Sequence, residues 1–411
     1  MAVVSISIDS IAVGGDGVGR SNGLVVFVPR TAPGDVVTAQ IASKGQFARG
    51  KLADIVSPAV VRIDPPCPHY TRDKCGGCQL QHMTYDAQLD AKRGIIRDSL
   101  TRIGKRILES PPEIEPSDKQ WRYRQKLTLS MRRGRDGQWV IGLHPYDDPN
   151  AVFQLQDCPI TDERVMNIWR DIMEARRFFP PANELRASVR LVTETDVSVV
   201  MEGGDRWPAK SAFFAEVPTI TALWWKPANK GRSLVAERSR AGATASFAQV
   251  NAGVGQALHE YVLDRARAHR PMTVVDAYAG TGSTAIPLAE DGVRVVAIES
   301  DRDAANHCAR RLPEGSRAVA ARVEDAIADV LPADVVLVNP PRTGIDERVA
   351  SVLEGLSSPP RAIVYTSCDP GTLARDLARM PRYRIASIRA FDMFPQTAHV
   401  ETVCELVPGD A

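Results

Sequence analysis

Nowhere in the 411-residue chain do about 18 consecutive apolar residues occur, so no segment reaches the length a helix needs to cross a bilayer. The opening residues, Met1 to Ser10, alternate apolar and polar without a basic start, a continuous apolar stretch or a small-residue cleavage site. We therefore expect no signal peptide, no membrane partner and a cytoplasmic location. Long repeats and low-complexity tracts are missing as well. An excess of one charge is also lacking, because 51 Lys and Arg face 50 Asp and Glu, a net charge of +1. Overall charge thus says nothing for or against nucleic acid. With 44% hydrophobic, 25% charged and 6% aromatic residues, the composition excludes fibrous and disordered classes.

What is present is unevenly arranged. Between Cys67 and Arg135 there are 15 Lys and Arg against 8 Asp and Glu, with aromatic rings interleaved at Trp121-Arg122-Tyr123-Arg124. Such a local excess can neutralise phosphates, although a solvated basic face gives the same count. At roughly 100 to 200 residues per domain, the length calls for several domains, and three are expected. Residues 1–60 read as short alternating strands, at Val3 to Ile8, Gly23 to Val28, Asp35 to Ala42 and Gly50 to Ile55, which make a small β-barrel. Gly14 to Arg20 reads as a hairpin loop, since no Lys-Ser or Lys-Thr and no helical pattern follows to make it a phosphate loop. Residues 61–240 look α+β, with a helix from Tyr85 to Leu100 and another near Asp162 to Arg177.

From residue 241 to the end the pattern is α/β. Apolar strands at Thr273 to Ala277, Arg294 to Ile298, Ala318 to Ala320, Asp334 to Val338 and Ala362 to Tyr365 alternate with helices, which predicts a parallel, doubly wound sheet. Strands near Arg384 to Phe391 and Glu401 to Val407 follow without a helix between them and predict an antiparallel hairpin at one edge. Asp276-Ala277-Tyr278-Ala279-Gly280-Thr281-Gly282-Ser283 follows the first strand, and Glu299 ends the second, placed to accept hydrogen bonds from ribose hydroxyls. The segment departs from Gly-x-Gly-x-x-Gly, and Asp276 would repel a pyrophosphate but suit the cationic methionine part of S-adenosylmethionine. A methyl donor is therefore expected in preference to NAD.

Asn339-Pro340-Pro341-Arg342-Thr343-Gly344 and Tyr365-Thr366-Ser367-Cys368-Asp369-Pro370 stand at the ends of the fourth and fifth strands, where open α/β sheets hold ligands. A thiol at a helix N-terminus has its thiolate favoured and is a plausible nucleophile. Thiolate addition to carbon 6 of uracil would make carbon 5 reactive toward a methyl group, and Glu401 is a candidate base for the carbon 5 proton. Ser367-Cys368-Asp369-Pro370 and His399-Val400-Glu401-Thr402 resemble the nucleophile and base motifs of the uracil-5 RNA methyltransferases, and the likeness extends over nearly the whole chain.

The resemblance implies a Rossmann-like class I methyltransferase domain at 241–411, an OB-like TRAM barrel at 1–60 and an iron-sulfur α+β domain at 61–240. It implies Cys368 and Glu401 as catalytic residues, with Gln249, Tyr278, Ser283, Glu299 and Asn339 around S-adenosylmethionine. Asn339 stands where the family usually has Asp, and Asn-Pro-Pro is also similar to the motif of enzymes that methylate exocyclic amines. Cys67, Cys75, Cys78 and the distant Cys158 supply four thiols, whose spacing suits zinc or an iron-sulfur cluster equally. The resemblance favours a [4Fe-4S] cluster, although the first spacer is two residues longer than the family's usual five. It also implies an RNA substrate, ribosomal in preference to transfer RNA, for a monomeric enzyme. Cys308 and Cys404 fall in helix and strand patterns and read as core. The rivals are an RNA amino-methyltransferase and a non-catalytic RNA-binding or ribosome-assembly protein.

Overall fold

The computed structural model describes residues 2–238 and 250–409. Five strands near the N-terminus, β1 Ala2–Ile11, β2 Gly17–Ser21, β3 Leu24–Val28, β4 Val36–Lys44 and β5 Phe47–Ser57, close into a barrel in the order β1-β2-β3-β5-β4. Its core is built from inward-facing alternate residues, among them Ile6, Ile8, Val26, Val28, Val37 and Ala39. The strand β2 corrects the expectation of a loop over Gly14 to Arg20. Only Gly14 and Gly15 turn the chain, at φ of +96° and +93°, whereas a Cβ at Gly17 would collide with Thr31 and one at Gly19 with Ile6 and Ser7. Those two glycines permit close strand packing inside a barrel, a use that looks like a turn in the sequence.

After β6 Glu113–Glu115, the middle region forms a seven-stranded sheet from β7 Lys126–Arg133, β8 Trp139–Leu143, β9 Phe153–Gln154, β10 Glu184–Leu191, β11 Val197–Glu202, β12 Ala222–Lys226 and β13 Ser233–Glu237. Its order is β13-β12-β11-β10-β7-β8-β9. One face, with Leu127, Leu129, Met131, Ala187, Val189 and Val199, is buried together with Val165, Ile168, Trp169 and Ile172 of the Glu163–Glu174 helix. Asp162 caps that helix by accepting from the Arg164 N–H.

The third sheet has eight strands: β6, β14 Thr273–Ala277, β15 Arg294–Glu299, β16 Arg317–Ala320, β17 Val335–Val338, β18 Ala362–Ser367, β19 Tyr383–Phe391 and β20 Glu401–Pro408. They run β16-β15-β14-β17-β18-β20-β19-β6, parallel from β16 to β18 and antiparallel across β18-β20-β19. All four residues of β17 and all six of β18 are buried, as expected for strands covered by helices on both faces. The strand order reverses between β14 and β17, and crevices form at such a switch point.

The expected C-terminal hairpin forms but does not lie at the edge. Strand β20 inserts beside β18, and β6 continues the sheet beyond β19. The Tyr85–Arg102 helix packs on the same sheet's Pro370–Ala378 helix, with Ile96 and Leu100 sharing a core with Leu373 and Leu377. Among the described residues no helix is long and apolar enough to cross a membrane.

One buried polar contact fixes this docking. Lys92, fully buried on the Tyr85–Arg102 helix, forms an ion pair with the fully buried Asp392 just after β19, and its Nζ also donates to the Phe394 carbonyl at 3.0 Å. The Tyr85 hydroxyl donates to the second Asp392 oxygen at 2.8 Å. Removing one partner of a buried pair strands the other charge, so Lys92→Met should destabilise the protein by about 3–5 kcal/mol. Lys92→Met combined with Asp392→Leu should recover much of that loss. Urea denaturation checks both, and a loss below about 1 kcal/mol for Lys92→Met would contradict the assignment.

Candidate active site

The loop after β14 combines tight turning with close packing. Gly280 and Gly282 have φ of +57° and +89°, and a Cβ at Gly282 would lie 2.5 Å from the Cys308 sulfur. Tyr278 also adopts a left-handed φ of +66°, a strain typical of ligand sites. Glu299, at the end of β15, ties the loop down. Its Oε2 accepts the Gly280 N–H at 2.9 Å and its Oε1 accepts the Asp301 N–H at 2.7 Å. Ser283, in the loop after β14, and Asn339, directly after β17, are exposed.

Asp276 does not face a ligand as a free carboxylate. It is buried and accepts a hydrogen bond from the Thr284 hydroxyl, and burial pushes it up to about 7. Its visible role is to brace the turn into the Ala285–Glu290 helix. Gln249, also expected here, lies outside the described residues.

Cys368 and Glu401 meet through sheet register. Strands β18 and β20 pair antiparallel with Ser367 opposite Thr402; Cys368 directly follows the one and Glu401 directly precedes the other, so both stand at the same end of the pair, with Glu401 within electrostatic reach of the thiol. A turn holds the thiol there. The Asp369 N–H donates to the Ser367 hydroxyl, and the Asp369 carboxylate caps the Pro370–Ala378 helix through the Thr372 N–H at 2.7 Å. Cys368 therefore sits one residue outside the helix cap, and its thiolate is not favoured at rest. Burial and the nearby Glu401 push the thiol up, while Arg342 pulls it down. Burial likewise pushes Glu401 up to about 7, against Arg342.

Arg342 is the residue whose role the sequence left unassigned, and its place directly after Asn339-Pro340-Pro341 was the available signal. Its loop is sewn to the Pro370–Ala378 helix. Thr372 Oγ1 donates to the Arg342 carbonyl, Arg375 donates to the Thr343 carbonyl, and the Ile345 N–H donates to Asp376. Gly344, at φ of +77°, leaves no room for a Cβ against Asp376 and Thr372. The guanidinium is thus presented within electrostatic reach of Cys368, Glu401 and His399.

The segment leading into Glu401 is clamped from the N-terminal half. Tyr123 donates to the Pro395 carbonyl at 3.0 Å, Gln88 exchanges two hydrogen bonds with Gln396, and the Gln79 and Leu80 N–H groups both donate to the Gln396 carbonyl.

Cys67, Cys75, Cys78 and Cys158 are all buried free thiols that border one cavity of about 860 Å³, together with Arg124, Lys126, Arg342 and Phe394. Burial raises all four thiols, Cys75 to about 11, and the deprotonated forms repel one another. Among the described residues no three His, Cys, Asp or Glu are placed to hold a single metal ion. Yet the surroundings are poised for charge. Arg30 reaches in from the barrel, donating to the Cys75 carbonyl at 2.6 Å and lying 3.3 Å from the Tyr70 ring centroid, while its Nη1 is buried without a partner, as is the Gln81 Oε1. Cys308 and Cys404 are buried in the core as expected.

Residues 313–407, which include β17, β18, Cys368 and Glu401, match the family model described as tRNA (Uracil-5-)-methyltransferase. An uncharacterized RNA methyltransferase of Listeria monocytogenes serotype 4b is 30% identical over 98% of this chain and 97% of its own. One from Thermosynechococcus vestitus is also 30% identical, over 98% of both chains. The chain's fold is similar to that of the Pyrococcus abyssi tRNA (uracil-54, C5)-methyltransferase in complex with S-adenosyl-L-homocysteine, with a TM-score of 0.70, 23% identity and coverage of 98% and 99%. Shared along its full length with RNA methyltransferases and with the uracil-5 model across the thiol and carboxylate, this chain belongs to the uracil-5 RNA methyltransferase family.

Proposed function

We propose that the protein transfers a methyl group from S-adenosylmethionine to carbon 5 of a uridine in RNA, with Cys368 as nucleophile and Glu401 as base. The observation that supports this reading is the pairing of Ser367 with Thr402, which brings their neighbours Cys368 and Glu401 to the same end of the sheet. The donor supplies an electrophilic methyl group, and Tyr278, Ser283, Glu299 and Asn339, with Gln249, are the residues assigned to hold it. The Cys368 thiol gives up its proton to solvent and adds as thiolate to carbon 6, the displaced electron pair makes carbon 5 nucleophilic, and carbon 5 takes the methyl group with S-adenosylhomocysteine as the leaving group. Glu401 then removes the carbon 5 proton while the sulfur–carbon 6 bond breaks and the thiolate leaves. A carboxyl held near 7 is suited to accept that proton at neutral pH. Arg342 favours the anionic forms of both residues.

The four cysteines are assigned to a [4Fe-4S] cluster. A polynuclear cluster offers each thiolate its own iron, so convergence on one ion position is not required. The unpartnered Arg30 Nη1 beside these buried thiols fits a site that carries net negative charge when filled. Its role is to lock the cysteine loop against the clamp on Gln396, with no electron transfer. Ribosomal RNA is the assigned substrate, supported by the combination of barrel and cysteine cavity. The matching family model and the Pyrococcus enzyme are both named for transfer RNA, so 5-methyluridine should be mapped in both RNAs from cells lacking the protein; loss from transfer RNA alone overturns the ribosomal assignment.

Three further outcomes are expected. With RNA containing 5-fluorouridine, the protein should form a covalent adduct on a denaturing gel, which Cys368→Ala abolishes and Glu401→Gln retains. Methylated exocyclic amines without any adduct would favour the amino-methyltransferase instead. Because Glu401 acts ionised, kcat/KM should rise with pH through about 7. Its folded value lies above the ordinary 4.5, so its contribution to stability is complete below 4.5 and lost as pH rises through about 7. Glu401→Gln should therefore melt higher than wild type at pH 8 and close to it at pH 5. Finally, anaerobically prepared protein should bind iron and inorganic sulfide, and Cys78→Ser should lose both along with thermal stability; wild-type protein without iron would exclude the cluster.

A further inference from the structure

The face of the seven-stranded sheet turned away from its apolar core is a grid of cations, small hydroxyls and one aromatic ring. Register aligns Lys126, Arg190 and Ser198 in one row, Thr128, Ser188, Val200 and Trp224 in the next, and Ser130, Arg186, Glu202 and Lys226 in the third. Lys126 and Arg190 stand directly opposite each other, which concentrates positive charge at one point of the face. Burial, Arg190, Arg124 and Arg186 together hold the Lys126 ammonium below its usual value, and burial with Arg232 does the same to Arg190.

This face forms one wall of a cleft of about 630 Å³. The opposite wall is Thr281 of the loop after β14 and the Arg302–Arg311 helix, which turns His307 and Arg310 inward. Among the described residues on the sheet side, Lys126, Arg190, Lys226 and Arg232 line the cleft with one carboxylate, Glu202, which register already sets between Arg186 and Lys226. On the helix side two carboxylates, Asp301 and Asp303, also line the cleft, Asp301 with one oxygen spent on capping the helix through the Asp303 and Ala304 N–H groups. Trp224 is half-buried in the cleft, with the Arg232 guanidinium 4.7 Å from its ring centroid. Cations that track a backbone, around a ring on which a base can stack, are the requirements of single-stranded nucleic acid. Short serine and threonine side chains leave the sheet surface flat enough for bases to lie on.

We infer that this sheet face is the platform for the single-stranded RNA that flanks the target nucleotide, with a base stacked on Trp224 and phosphates on Lys126, Lys226 and Arg232. The inference rests on the RNA-methylating reading and adds to it a binding surface outside the Cys368–Glu401 site. Lys126 also borders the cysteine cavity, where Arg124 and Arg342 continue the basic track toward Cys368.

The test uses the full-length protein and a fluorescein-labelled 12-nucleotide single-stranded oligouridylate, with affinity followed by anisotropy across a salt series. Trp224→Ala should raise Kd roughly 5- to 150-fold, the effect of removing the ring from beneath one stacked base. The pair Lys226→Glu and Arg232→Glu, both exposed, should raise Kd and flatten the dependence of log K on log salt by about 0.7 for each phosphate no longer neutralised. An RNA duplex of equal length should compete much more weakly than the single strand. Unchanged affinity and salt slope in the charge pair, or equal competition by duplex, overturns the platform; should Trp224→Ala fail to fold, the charge pair alone decides. Binding defects in these variants without a fluorouridine adduct in wild type would sink the methylation chemistry and keep the platform. An intact adduct with unaltered affinity would do the reverse.

Discussion

Lys92 has no solvent, so it must find its acceptors inside the protein, and it finds both of them about 300 residues away, at Asp392 and the Phe394 carbonyl. A buried ammonium tolerates neither loss of its partner nor much displacement from it. The helix that carries it is thereby locked to the turn between β19 and β20. That turn ends in Glu401, so the position of the carboxyl depends on a residue of the N-terminal half. Gln88, one turn earlier on the same helix, repeats the logic by pairing with the side chain and backbone of Gln396. The cysteine loop joins in through Gln79 and Leu80, whose N–H groups share the Gln396 carbonyl.

This anchoring explains why the two residues at the same end of the β18–β20 pair can be held in an unfavourable electrostatic state. Both groups are taken from water, which raises the cost of ionising each, and Glu401 adds to that cost at Cys368. Left to relax, such groups would move apart or admit solvent. The clamped turn on one side and the sewn Asn339–Gly344 loop on the other prevent it. Among the described residues Arg342 is the cation that eases both charges.

The α/β strands were legible because burial on both faces writes continuous apolar runs, and the seven expected strands from Thr273 to Val407 coincide with β14 to β20 within a residue or two. Local periodicity could not place β20 between β18 and β19, or bring the three-residue β6 to the edge, since pairing partners far apart in sequence leave no local trace. The glycines of β2 look like a loop because tight packing and tight turning call for the same residue. At the site, the thiol and the carboxyl were legible as motifs, whereas the surroundings of Asp276 were not. Its expected partner was a cationic ligand, but Thr284, eight residues on, already occupies the carboxyl.

The same distinction between local and distant information bears on charge. A net charge of +1 conceals an organised field, because cations are gathered on one face of the middle sheet while acids cap helices and pair at the periphery. Alternation along β7 and β10 is what concentrates them, since Lys126 and Arg190 share a face only because Leu127 and Val189 must turn the other way into the core. The hydrophobic requirement of one face therefore fixes the electrostatics of the other. Glu163–Glu174 covers the apolar side, which leaves the cationic side turned toward the loop after β14. A polyanion drawn into that cleft would meet the donor loop on one wall and the basic track toward Arg342 on the other, so the packing of the middle sheet is also what aims the substrate.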